Sequence, residues 1–371
     1  MEDRRGELIA EVEAIGKRLG KHFPRLESRE RVVEYLHGLI GETGRESGSN
    51  ASPRLGQTTR YATQNFLARS TWNADDVRDE LIRYVIERLG DPEGVLVVSE
   101  VEFRKGGRRS VGVARQLSRT TGRKENCQVG VFLSYASRFG RATIDRALYL
   151  PPEWIGDPAR RRVAEVPDDV TEASRVELAR RMIARALSCG APARWATADA
   201  SYGADYHFRV ALEYHRLNYC VGFPLSQSVR LGEHLTTPTA LASQLRPLSW
   251  RPVASGADGP PAEEDAHLLA PTIEPEGGLR GWHFRRRIAE GSGLAAYLCG
   301  GPAAPAPVRW RETVNELRAT ESLLERARRT CGLDDYEVRK WAAWHRHITL
   351  SLFALAAFQT LPRRRNHSAE R

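Results

Sequence analysis

The chain has 371 residues, 28% charged and 41% hydrophobic, which is long enough for two or three domains around a sizeable core and excludes a broadly disordered or small disulfide-stapled protein. Its 56 Lys and Arg outnumber 47 Asp and Glu, a formal +9 that suits an anionic partner such as nucleic acid, although an arginine-rich genome shifts charge the same way without one. The five cysteines (Cys127, Cys189, Cys220, Cys299, Cys331) are far apart with no C-x-x-C pair, which argues against a zinc or dithiol redox motif and predicts buried thiols.

The first predicted element is a helix over residues 7–21, where Leu8, Val12, Ile15 and Leu19 recur at three- and four-residue spacing. The acidic, amphipathic start lacks the basic and apolar blocks of a secretion leader, so a cytoplasmic protein is expected. Ser28 is read as the cap of a second helix ending at Ile40. Residues 41–57 are rich in Gly and Ser without apolar periodicity and read as a loop. Asn73 then caps a helix with Asp75 and Asp76 in its first turn and Val77, Leu81, Tyr84, Val85 and Leu89 on its apolar side.

From Gly94 the pattern changes. The apolar run 95–98 (VLVV) predicts a buried central strand, and residues 110–116, 128–136 and 145–149 predict further strands in a meander. Residues 176–187 predict a helix with Leu178, Met182, Ile183 and Leu187 on one side, and residues 195–199 a strand with Asp199 at its tip. Between 225 and 307 the composition shifts to Pro, Gly, Ala and Thr, which reads as a β-rich insertion with residues 254–265 as its exposed loop. Residues 312–330 predict a helix stopped by Gly332, and 336–358 a final buried helix. The apolar stretch 348–361 is interrupted by Thr349, Ser351, Gln359 and Thr360 and falls short of the ~20 residues of a membrane span.

Basic clusters recur at 104–109, 115–124, 160–162, 285–287, 326–329 and 363–365, and arginine suits bidentate contact with phosphate. Metal-dependent phosphoryl transfer needs carboxylates converging from separate elements. Asp199 at a strand tip and Glu321 inside a helix are such acids, though each taken alone reads more readily as a solvated surface residue.

Several phrases resemble the insertion sequence 701 family of bacterial DDE transposases: LIRYVIERLGDPEGVLVV (81–98), SVGVARQLSRTTGRKENCQVGVFLSYAS (110–137), RALYLPPEW (146–154), ARWATADASYG (193–203) and GLDDYEVRKWAAWHRHITL (332–350). The resemblance implies an α/β, RNase H-like mixed sheet flanked by helices. It divides the chain into a helical DNA-binding or dimerisation region (1–90), a first core segment (91–224), the β-rich insertion (225–307), C-terminal core helices (308–361) and a basic tail (362–371). It implies double-stranded DNA as partner, a homodimer on DNA, no membrane, and a two-metal Mg²⁺ or Mn²⁺ site. The family's second Asp maps to Asp199 and its Glu to Glu321, which would ligate metal, while Arg328, Arg115, Arg123 and Lys124 would contact DNA. The first acid does not map, because Ser99 stands in its position. A serine hydroxyl brings no charge to offset two cations, and strand alternation points Glu100 and Glu102 away from the face of Ser99. The run 317–320 also departs from the family's pattern. The resemblance thus supports two readings, an active transposase and a non-catalytic DNA-binding descendant.

Other features read as structural. His345 and His347 form an H-x-H without a further ligand at zinc-like spacing and are expected on a helix surface. Ser201 and Ser226 lack a nucleophile elbow. Gly106 and Gly107 read as a turn, and Cys127 as a buried strand residue.

Overall fold

The computed structural model describes residues 2–40, 60–119, 121–231, 234–253, 263–270, 280–288, 293–302 and 307–361. Four helices come first: α1 (Glu2–Leu19), α2 (Leu26–Ile40), α3 (Arg60–Ala68) and α4 (Ala74–Leu89). Next come β1 (Gly94–Arg104), β2 (Ala114–Leu117), β3 (Lys124–Ser137) and β4 (Gly140–Leu148). The chain continues through α5 (Pro152–Ile155), α6 (Pro158–Val163), α7 (Arg175–Ser188), β5 (Ala193–Thr197), α8 (Ala200–Gly203), α9 (Tyr206–Tyr214) and β6 (Asn218–Phe223). A strand-rich stretch holds β7 (Val229–Leu231), β8 (His234–Thr236), α10 (Pro238–Ser243), β9 (Arg251–Val253), β10 (Glu263–Ala270), β11 (Arg280–Arg287) and β12 (Ala295–Gly300), and the long helices α11 (Pro307–Thr330) and α12 (Trp341–Thr360) close the chain. The expected loop at 41–57, most of the exposed loop at 254–265 and the basic tail lie outside the described residues.

One sheet dominates, in the order β2-β3-β1-β5-β6-β12-β11-β10-β9, with β4 also on β3. Strands β1, β5 and β6 are parallel, β3 runs antiparallel to β1, and β4 antiparallel to β3. This is the RNase H-like mixed sheet that the resemblance implies. The run Val95 to Val98 is buried on both faces, as a central strand requires. Within the expected insertion β7 and β8 pair only with each other, whereas β12 pairs with β6 and carries β11, β10 and β9 outward, lengthening the central sheet. Without them β6, buried along its whole length, would leave a row of unpaired backbone groups in the interior.

Helix α12 is buried on nearly every side from Ala343 to Ala357, with α1, α2, α3, α4 and β4 packed around it. His345 and His347 therefore do not lie on a helix surface. His347 bonds the Tyr35 hydroxyl at 2.6 Å and the Gly332 carbonyl at 3.0 Å, and His345 bonds the Trp341 carbonyl at 2.9 Å. Burial lowers both pKa values, to about 4 and about 3, so both rings are neutral. The phrases shared with the family meet in this core, where Trp344 donates to the Tyr336 hydroxyl, Tyr336 to Gln128, and Gln128 to the Val111 carbonyl.

Asn73 caps α4 by accepting the Asp75 N–H at 2.8 Å, whereas Ser28 falls inside α2, which starts at Leu26. Strand β2 starts four residues later than predicted because Gly112 turns the chain at φ +74°. Four of the five cysteines are buried thiols, Cys127 among them, and Cys189 is partly exposed. No helix among the described residues is long and apolar enough to cross a membrane.

Candidate active site

The site is built where β5 ends beside the middle of the longer, parallel β1. Val97 on β1 is level with Thr197 on β5, and Ser99 and Asp199 each stand two residues further on. Val95 and Val97 pack in one apolar cluster with Trp310, Val314 and Leu317 of α11, and strand alternation puts Ser99 in phase with them. Thr320, one turn beyond Leu317, is buried, and its neighbour Glu321 is exposed. Burial within the surrounding protein raises the Glu321 pKa, the negative charge of Asp199 raises it further, and Arg119 and Arg318 oppose both. The two acids are thus close enough to repel.

Asp199 caps α8, accepting the Ser201 N–H at 2.8 Å and the Ser201 hydroxyl at 2.6 Å. Its turn lies flat on β6, where the Gly222 N–H donates to the Ala198 carbonyl at 2.8 Å. Only glycine fits at two points of this contact. A Cβ on Gly203 would meet the Gly222 carbonyl oxygen at 1.9 Å, and one on Gly222 would meet the Ala200 nitrogen at 2.7 Å.

The second oxygen of Asp199 is ion-paired with Arg119, whose guanidinium also lies 3.9 Å from Glu100. Burial disfavours the arginine's charge, but Asp199 and then Glu100 outweigh it and raise its pKa. Glu100 is further engaged by Arg175 at 2.9 Å and by the Tyr202 hydroxyl at 2.8 Å. Glu102 accepts the Ser118 hydroxyl and the Arg119 N–H. Both glutamates of β1 are therefore engaged by other groups, Glu100 reaching the guanidinium that also holds Asp199. The Ser99 hydroxyl oxygen is buried without a hydrogen-bond partner among the described residues.

This donor set does not fit a two-metal centre. It offers the carboxylates of Asp199 and Glu321, a Glu100 already held by Arg175 and Tyr202, one neutral hydroxyl and a guanidinium seated on Asp199, where two divalent cations need several free oxyanions. Among the described residues no group of three or more His, Cys, Asp or Glu side chains converges as a metal site.

The expected DNA-contact residues divide into two kinds. Arg115, Arg123 and Lys124 are exposed around the β2 edge of the sheet. Arg328 instead pairs with Asp334 at 2.8 Å and Glu325 at 3.1 Å at the end of α11. The cluster at 285–287 is likewise committed inward: Arg285 is buried and grips Asp265 at 2.7 and 3.1 Å, and Arg311 joins the same carboxylate at 2.8 Å. Sequence reasoning missed Arg119, Arg175 and Gly222. Arg119 lay within a basic stretch, but nothing local marks out the arginine whose partner is 80 residues away.

No curated protein matches the chain. A family described as DDE superfamily endonuclease matches residues 18–268, well over half of the chain and including Ser99 and Asp199. Endonucleases of this superfamily act on DNA and generally use divalent metal ions. The sheet order and the extent of that match agree, and the chain belongs to the DDE superfamily endonuclease family.

Proposed function

We propose that this protein is a transposase-like DNA-binding protein of the insertion sequence 701 kind in which phosphodiester cleavage is impaired. It engages double-stranded DNA, as a homodimer by analogy with that kind, and Asp199 and Glu321 are the remaining acids of the family's triad. The observation that carries the reading is the neutral Ser99 in the middle of β1, without a hydrogen-bond partner among the described residues, two residues beyond the pair that aligns β1 with β5, while the charge of Asp199, likewise two residues on, is already met by Arg119. Two carboxylates opposed by a fixed guanidinium leave little negative charge for the cations the family's chemistry relies on. The exposed Arg115, Arg123 and Lys124 supply phosphate contacts at the nearby sheet edge.

The domain reading follows from this: residues 1–90 serve DNA binding or dimerisation, and residues 91–361 form the core. The test is a titration of duplex DNA at several salt concentrations, with cleavage assayed alongside in Mg²⁺ and Mn²⁺. Binding that weakens steeply with salt, because phosphate neutralisation releases counterions, together with negligible cleavage, is the expected result. Salt-independent binding removes the DNA reading, and efficient cleavage lost in Asp199→Asn removes the impairment.

A further inference from the structure

We propose that Arg119 is the resident cation of this site, holding the Asp199 carboxylate so that a divalent cation from solution binds there only by displacing it. The proposal rests on the reading of Asp199 and Glu321 as the remaining acids of the triad. It goes further by naming what now balances their charge.

Arg119 is exposed to solvent, but its backbone is held in place. It sits in a tight turn joining β2 to β3, in which the Ser118 N–H bonds the Arg123 carbonyl at 2.8 Å and the Gly122 N–H bonds the Ser118 carbonyl at 2.9 Å. Gly122 holds φ +67° there, a conformation that favours glycine. The turn is fastened to β1 itself: Glu102 accepts the Ser118 hydroxyl at 2.5 Å and the Arg119 N–H at 2.6 Å. The strand that carries Ser99 therefore also anchors the arginine, and the guanidinium is delivered to Asp199 from a fixed base. Its pull is felt at Glu321 too, where its charge counters the repulsion from Asp199.

The charge count explains the competition. Asp199, Glu321 and Glu100 supply three negative charges; Arg119, which pairs with both Asp199 and Glu100, and Arg175 supply two positive ones, a net of one negative. A small divalent cation gives up its water reluctantly and gains most from several oxyanions at once. Against one net charge, with an arginine already in direct contact, it has little to gain.

The experiment measures Mn²⁺ binding to the full-length protein by calorimetry and by the electron paramagnetic resonance signal of free Mn²⁺, without DNA and without any activity readout. The unmodified protein and Arg119→Lys, which keeps the positive charge, are expected to bind only weakly. Arg119→Ala is expected to bind about tenfold or more tightly, and Arg119→Ala with Asp199→Asn to lose that gain. Equal binding by the unmodified protein and Arg119→Ala overturns the proposal, as does a gain that survives Asp199→Asn. Thermal melting checks folding, and Arg119→Gln replaces the alanine variant in the same comparison if that variant is unfolded. Absence of salt-dependent DNA binding by the unmodified protein would instead overturn the functional reading, which the Mn²⁺ comparison does not touch.

Discussion

Gly222 and Asp199 are in backbone contact across the end of the sheet: a Cβ on Gly222 would stand 2.9 Å from the Asp199 carbonyl carbon. The obstructing atoms are backbone and have no rotamer by which to retreat. Gly222→Ala is therefore expected to push the Asp199 turn off β6 and destabilise the protein by ~1–3 kcal/mol, the range for overpacking a filled interior. Denaturant unfolding measures it, and a variant as stable as the parent would show that the turn is not seated on β6 as described.

A second expectation concerns how the N-terminal helices are held. Glu80 on α4 is buried and receives Arg18 from α1, Lys21 at 2.8 Å and Arg83 at 3.1 Å. Burial alone would raise its pKa, but Lys21 and Arg18 more than reverse this and bring it to about 2. A depressed carboxylate stabilises the fold above its unfolded pKa, near 4.5, and that contribution is lost as pH falls toward 2. Glu80→Gln is expected to cost ~2 kcal/mol at neutral pH, below the ~3–5 of a fully buried pair because Lys21 is solvent-exposed. Melting curves from pH 7 to pH 2 should converge as acid protonates the parent, and a constant gap would assign the loss to packing.

Features encoded locally were legible in the sequence. The run 95–98 reads as a buried strand because it is apolar on both faces, Asn73 reads as a cap because an amide followed by two acids favours a helix start, and Asp199 reads as a strand tip because an apolar run stops there. Features fixed by distant neighbours were not. His345 and His347 are buried because α12 is surrounded, and the spacing of two histidines carries no record of that. The stretch 225–307 reads as a β-rich insertion because its composition changes, but nothing local shows that β12 adds to β6, whose edge needs a partner. Arg119 is one arginine among several in a basic stretch, and only the folded chain sets it on Asp199.

Glu321 provides a pH test with the opposite sign. Its side chain is exposed, yet the protein atoms around it thin its hydration and raise its pKa, and Asp199 raises it further. A raised carboxylate favours the fold while protonated, and that advantage is lost as pH rises through its folded pKa. At neutral pH the ionised Glu321 is thus a strained charge, and Glu321→Gln is expected to raise the melting temperature there, with the difference fading once acid has protonated the parent. A lower melting temperature at neutral pH would mean that Arg119 and Arg318 outweigh both desolvation and the repulsion from Asp199.

Ser99→Asp is the substitution expected to change the chemistry most. It adds a third carboxylate level with Asp199 and on the side of β1 that faces α11, and it supplies the negative charge that the neutral hydroxyl lacks. Charge stabilisation at such a centre is worth several kcal/mol, and at ~1.4 kcal/mol per decade a gain of ~4 kcal/mol is roughly a thousandfold in rate. The measurement is cleavage of duplex DNA in Mg²⁺ or Mn²⁺, comparing the parent, Ser99→Asp, and Ser99→Asp with Asp199→Ala. Cleavage should rise in the single variant and vanish in the double one. Cleavage by the parent that is abolished by Glu100→Gln or Glu102→Gln would make one of those glutamates the missing acid, against their present engagement by Arg175, Tyr202 and the Ser118 turn. If Ser99→Asp binds DNA but does not cut it, while Ser99→Asp with Arg119→Ala does, the guanidinium on Asp199 is the remaining obstacle. If neither cuts, the departure from the family's pattern at Leu317, Arg318, Ala319 and Thr320 has disabled the α11 side of the site as well.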